Sequence, residues 1–414
     1  MSLQIEYIGY GREKLPLFLP EHAENLAVKD PKKVITPALF TRRLSTFLDG
    51  HPLDLSNPVI VVADKTRLCG YPEYLPILVQ ELEYRGMAPE ALKFIIAYGT
   101  HPAQTREECL AAYGDIYDRH TFIHHDASDQ TAFTERGKTT KGTPIRLRKD
   151  LLKASAIITI GAVCHHYFAG YGGGRKLIFP GCGEKYSIYA NHGLFLDRKQ
   201  QTLSPGCQPG NMQDNPLADD LFEVEKHLPA HLSIHGLLDS HGELCDLLVG
   251  AGRQTFTEAC RLQGESCETS SPQFDVVVAS CGGFPKDINF IQAHKAIHNS
   301  SMFVKDGGLL LVYCECRDKI GSVTFLPWFE KGSFENAFQQ LADNYEGNGG
   351  TALAMMTKAQ RIRIGLVTSI SGEILKTMGV ERWNHNMVCD YISAVDISKT
   401  IACIGNASLL VKKG

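Results

Sequence analysis

No apolar run in this 414-residue chain approaches the roughly eighteen consecutive residues that a membrane-spanning helix needs. An excess of either charge is missing too. Lys and Arg total 42 against 46 Asp and Glu, and a formal charge of −4 gives no basic footprint for nucleic acid. The opening MSLQIEYIGYGREKLPLFLP carries acids at Glu6 and Glu13 and no small-residue cleavage site behind an apolar core, so it does not read as a signal peptide. A cytoplasmic protein with neither membrane nor nucleic-acid partners is the expectation. Internal repeats and low-complexity tracts are absent, and 43% hydrophobic against 21% charged residues excludes disorder as the default. Cysteine is plentiful but unpatterned: 13 scattered residues, an odd number, fit reduced thiols better than a disulfide framework. Cys314 and Cys316 form C-E-C at the end of an apolar run; no second pair completes a closed zinc site, and they read as structural.

What is there is an alternation of short β-branched runs with amphipathic segments. VIVVAD (59–64), KFIIAYGT (93–100) and AIITIGAV (156–163) read as buried strands, and residues 75–87 and 105–114 as helices. This predicts an α/β fold with a largely parallel sheet. The polar stretch GESCETSSPQF (264–274) reads as a linker, after which DVVVASCGG, GGLLLVYCEC and RIGLVTSI begin a second, smaller α/β unit. The expected domains are therefore 1–266 and 275–394. Residues 395–414 either close the second domain or return to the first.

Polar clusters recur directly after predicted strands, where open α/β sheets place their ligands: DKTR (64–67), GTH (99–101), HHYFAGYGGGRKLIFPG (165–181) and SCGG (280–283). The glycine stretch fits neither standard nucleotide loop. Leu177 follows Lys176 where a phosphate loop needs Ser or Thr, and Arg175 stands where the dinucleotide fingerprint needs its third glycine. What remains is a backbone able to approach a ligand closely at Gly172, Gly173 and Gly174, beside a lysine followed by apolar residues. Imidazole serves equally as acid/base and as metal ligand, so His101, His165, His166 and His192 are candidates. Of the adjacent His165 and His166 at most one faces a site, because neighbours in an extended segment point to opposite sides. His124 and His125, in IHHDASD, read as a solvated loop.

HHYFAGYGGGRKLIFPG followed by NHG, with GTH and DKTR upstream, resembles the nickel-pincer nucleotide family of lactate racemase over most of the chain. The resemblance implies two α/β domains, the C-terminal one Rossmann-like, with the active site in the cleft between them. It implies a cofactor derived from a pyridinium mononucleotide, whose sulfur arms and ring carbon hold nickel, tethered through Lys176 with His192 as the protein ligand. It implies His101 and His166 as paired acid/base residues, Asp64 and Arg67 near cofactor and substrate, and Gln292 with Lys295 as substrate contacts from the second domain. One position departs: beside the glutamine the lactate enzyme carries an aromatic hydroxyl, while this chain has Ile291, which leaves lactate itself open as the substrate.

The chemistry is coherent in its own terms. A 2-hydroxy acid loses a C2 proton reluctantly beside its own carboxylate, whereas hydride loss from C2 with a proton from the hydroxyl gives a planar keto acid that can be refilled from either face. That route needs an electrophilic ring, which no side chain provides, and a base on each side. Arg67 suits a carboxylate through its planar fork. The expected function is thus a racemase or epimerase of a small 2-hydroxy acid. The alternatives are a zinc hydrolase using the same histidines with Asp64, and a non-catalytic anion binder.

Overall fold

A computed structural model describes residues 3–413 and divides the chain into two compact units, each an α/β layer structure. One comprises residues 30–194 and 206–266; the other takes residues 3–29, 195–205 and 267–413.

In the first unit six strands lie in the order Leu244–Gly250, Leu232–Leu238, Ile157–Ala162, Val59–Ala63, Lys93–Ala97, Thr121–His124. All neighbours are parallel except the edge pair formed by Leu244–Gly250. The strands VIVVA and IITIGA are buried at every position, the expected signature of parallel strands covered on both faces. The covering helices carry apolar stripes. Tyr71–Tyr84 buries Tyr74, Leu75, Leu78 and Leu82, and Arg106–Tyr113 begins with a capping box in which Thr105 accepts from Glu108 N while the Glu108 side chain accepts from Thr105 N. The order reverses at Val59–Ala63, with Lys93–Ala97 on one side and Ile157–Ala162 on the other. The carboxyl ends of these three strands therefore flank the switch point where such sheets bind ligands.

The second unit is built on an all-parallel sheet in the order Glu381–Trp383, Arg363–Val367, Val304–Tyr313, Phe274–Ser280, Ile401–Ile404, Glu24–Leu26. Of the two courses left open for the tail, the structure takes the first: Ile401–Ile404 pairs with Phe274–Ser280 and closes the second unit. The domain boundaries drawn above need two corrections. Residues 1–266 are not one unit, because Glu24–Leu26 joins this sheet next to the tail strand. The linker is shorter than 264–274, since helix Gly252–Cys267 runs into it and Glu268–Thr269 pairs with Val411–Lys412.

Cys314 and Cys316 are fully buried thiols. Among the described residues no helix is long and apolar enough to cross a membrane.

Candidate functional site

The carboxyl ends of Val59–Ala63, Lys93–Ala97 and Ile157–Ala162 open onto a cavity of about 100 Å³ in the first unit. Asp64, Arg67, His101, His166, Lys176 and His192 all line it. Three of the four polar clusters found at strand ends thus converge on one space.

Asp64 is buried and binds His101, Nδ1 to Oδ2, at 2.7 Å, while its Oδ1 accepts from Thr66 N at 2.9 Å and from the Thr66 hydroxyl at 2.5 Å. Burial alone would raise the carboxyl's pKa; the bonds from His101 and Thr66 outweigh it and hold Asp64 below the usual carboxylate range. An ionised Asp64 makes Nδ1 of His101 the donor, so Nε2 is the ring's acceptor atom. The loop behind is held by side chains that sequence spacing did not flag: Gln104 Oε1 accepts from Lys65 N at 2.8 Å, and the Tyr98 hydroxyl accepts from Gln104 N at 3.1 Å.

Cys164–His166 pairs antiparallel with Gly170–Gly172, and alternation along this hairpin splits the two histidines as expected. His166 lines the cavity, whereas His165 packs its ring on Tyr171 at 4.7 Å. Nδ1 of His166 accepts from Ala169 N at 3.0 Å and Phe168 N at 3.3 Å, so in the neutral ring the proton sits on Nε2. The two acid/base candidates therefore carry opposite polarity, His101 accepting and His166 donating. Of the three glycines, only Gly173 lines the cavity. It has φ +81°, and a Cβ there would lie 2.5 Å from the Ala162 carbonyl oxygen; at Gly174 a Cβ would lie 2.5 Å from the Phe256 ring. The expectation that all three approach a ligand is corrected in part: Gly172 and Gly174 pack the turn against the protein itself.

That turn buries Lys176, which is 5% exposed and has its pKa pushed well below the ordinary lysine value, first by burial and then by the cations Arg67 and Arg175. Arg175 is itself buried, its guanidinium stacked on Phe222 and Phe256 at 4.0 and 4.7 Å. His192 closes helix Lys185–His192. Its Nδ1 donates to the Ile188 carbonyl at 2.8 Å, and burial followed by Lys176 lowers its pKa to about 4. The ring is thus neutral near pH 7, with Nε2 as its acceptor atom.

Other expected residues stand elsewhere. Gln292 and Lys295 lie one turn apart on helix Phe290–Ser301 of the other unit, where Lys295 Nζ donates to Gln292 Oε1 at 2.8 Å, and neither lines this cavity. SCGG also belongs to that unit and is occupied by the hairpin of strands Leu3–Tyr10 and Glu13–Pro20: the Ser280 hydroxyl donates to the Gly9 carbonyl, and Phe284 N to that of Gly11, both at 2.6 Å. His124 and His125 are not a solvated loop. His124 bridges the hydroxyls of Tyr98 and Tyr117 at 2.9 and 3.1 Å. His125 is 3% exposed, bonds the Gly183 carbonyl through Nε2 at 3.1 Å, and is held at about 4 by burial and the neighbouring Arg148. Among the described residues no three or more His, Cys, Asp or Glu side chains are grouped to hold a metal ion.

Residues 10–204 match the family model of the lactate racemase N-terminal domain and residues 269–364 that of the lactate racemase C-terminal domain. The chain belongs to the lactate racemase family. Membership makes it an isomerase of the racemase type. The lactate racemase of Thermoanaerobacterium thermosaccharolyticum is 26% identical over 339 residues, which span 78% of this chain and 77% of that protein. That of Lactiplantibacillus plantarum is 28% identical over 272 residues, 65% of this chain and 62% of its own length. In fold, the chain is similar to the apoprotein of the Thermoanaerobacterium lactate racemase, with a TM-score of 0.89 at 24% identity over 99% of this chain and all of that one. A Thermotoga maritima protein follows with a TM-score of 0.68 at 15% identity, over 93% of this chain and 99% of its own.

Proposed function

We propose that the protein inverts C2 of a 2-hydroxy acid by reversible hydride transfer, using a nickel-pincer nucleotide tethered through Lys176. The observation that carries this reading is the pair of histidines of opposite hydrogen-bond polarity lining one cavity with a buried, readily uncharged lysine and a neutral imidazole. When bound, the cofactor supplies the electrophilic ring that accepts hydride, which no side chain can provide.

The residues present fit that group. An amine held uncharged can form an amide-type bond to an acyl arm, whereas an ammonium cannot. A neutral imidazole whose Nδ1 is anchored by a carbonyl offers Nε2 to a borderline metal, and a single histidine suffices where the other in-plane positions belong to the cofactor. The chain's own residues do the rest. Arg67 holds the substrate carboxylate. His101, steadied by Asp64, takes the hydroxyl proton at Nε2, and His166, entering as the imidazolium with Nδ1 turned from the Ala169 and Phe168 amides, gives one from Nε2 to the oxygen presented on its side. Inversion exchanges these roles, with each ring contributing roughly 10²–10⁴-fold. Gln292 and Lys295 are assigned to the substrate from the second unit.

The test is made on protein from a host that makes the cofactor. Intact mass should exceed the sequence mass by one nucleotide-sized adduct, lost in Lys176→Ala, and elemental analysis should find nickel and no zinc. C2-deuterated substrate should racemise with most of its label kept. A fully active chain without adduct, or label lost rapidly to solvent, contradicts the proposal.

A further inference from the structure

The loop 99–101 borders two cavities of the same unit. One is the cavity of about 100 Å³ just described. The other is a chamber of about 380 Å³ lined by His101 as well, by residues 124–128, and by Lys185 and Tyr189 of the helix that ends in His192. Because His101 lines both, a substrate that hands its C2 hydroxyl to this ring has the larger chamber beside the carbons that follow C2. A methyl group would leave that space to water.

The walls state what they would accept. Asp126 and Lys185 supply one formal charge of each sign, so a second carboxylate meets no surplus cation. His124 and His125 add no charge near pH 7, since burial, joined at His125 by Arg148, lowers both pKa values. The aliphatic lining is small, Ala103 and Ala127 with Pro102, and the rings of Tyr189, His124 and His125 that share the wall each carry polar atoms. Three hydroxyl-bearing residues, Thr100, Ser128 and Tyr189, line the space. A neutral chain rich in hydroxyls matches this inventory of donors and acceptors best.

Resting on the racemase reading above, we infer that the substrate is a polyhydroxylated 2-hydroxy acid of the aldonic-acid class, with carbons 3 onward lodged in the chamber beside His101. Inversion at C2 then makes the protein an epimerase, since the other stereocentres are untouched. A site that hydrogen-bonds substrate hydroxyls also discriminates strongly against analogues lacking them, by far more than an apolar pocket does.

Adduct-bearing protein, verified by intact mass, is incubated separately with single stereoisomers of gluconate, lactate, malate and 3-phenyllactate, and products are resolved by chiral chromatography. Gluconate should be converted to its C2 epimer, mannonate, with kcat/KM at least about 10²-fold above that for lactate. Ser128→Leu, an exposed position where an added side chain fills the chamber, should lower the gluconate-to-lactate ratio at least about tenfold, as should Lys185→Ala by a smaller factor. Preference for lactate, malate or phenyllactate over gluconate overturns the inference and leaves the racemase reading intact. Inversion of none of the four by fully loaded protein overturns both. A ratio unchanged in Ser128→Leu removes the chamber from the substrate's path and overturns the inference even if gluconate is turned over.

Discussion

His101 enters the cavity with one ring nitrogen already committed to a buried carboxylate, and the chemistry depends on that commitment. Asp64→Asn keeps the shape but removes the negative charge that holds the Nδ1 proton and steadies the imidazolium formed in turnover. We expect kcat to fall about 10²-fold or more in both directions, with the adduct mass unchanged, because proton transfer rather than loading is damaged. Equal loss of adduct and of rate would instead make Asp64 a cofactor residue. Lys176 poses the opposite case, a group whose burial opposes stability. Its folded pKa lies well below the ordinary value of 10.5, so between the two values the unfolded chain binds more protons than the folded one, stability falls as pH falls through that window, and the buried amine costs stability at neutral pH. Lys176→Met retains length and apolar contact while removing the amine. Before cofactor loading, its urea midpoint should rise above wild type with an unchanged m-value, while no adduct forms; an equal or lower midpoint would contradict the account.

The eight-residue helix Lys185–His192 is too short to hold itself, and its register is set at its start. Glu184, 2% exposed, caps it through Oε2 to Ser187 N at 3.0 Å, and is held in turn by Gln130 Nε2 at 2.9 Å and by Arg146 at 3.6 Å. Loss of such a cap costs about 0.5–2 kcal/mol. Glu184→Ala should therefore lower thermal stability and reduce nickel per folded chain, because His192 sits in the last turn; Glu184→Gln, which keeps an acceptor, should restore most of both. Nickel content equal to wild type in Glu184→Ala would show that the helix holds its register without the cap. None of these partners was visible in the sequence: Gln130 is 54 positions from Glu184, and Tyr98 is 26 from the His124 it binds. Apolar runs such as VIVVA announce buried strands, and loops after strands announce a ligand edge, because both follow from local period and sheet geometry. Whether a polar residue such as His124 is solvated or buried depends on long-range partners, and local pattern carries no record of them.

At the scale of the whole molecule the same contrast appears in the sheets. Two parallel α/β units were legible from the alternation of elements, but not the placement of Glu24–Leu26 beside Ile401–Ile404, since pairing across nearly the full chain leaves no spacing to read. The first unit also buries imidazoles that the proposed chemistry does not use. His125 and His235 are 3% and 1% exposed, and burial, aided at His125 by Arg148, holds each near a pKa of about 4 against an ordinary 6.5. Above pH 6.5 both states are neutral and the shift has no effect on stability. Between 6.5 and 4 the unfolded chain takes up protons that the folded chain refuses, so stability falls as pH falls through that window. The ring nitrogens of His235 have no hydrogen-bond partner among the described residues, so an apolar replacement loses no bond there. Urea midpoints measured at pH 7, 5.5 and 4.5 should decline, and His235→Leu should flatten the decline by about one proton's worth of slope. A wild-type stability independent of pH across this window would mean that these rings reach water in the folded state, against the packing of Phe256 on His235 at 5.7 Å and of Phe133 on His125 at 6.0 Å.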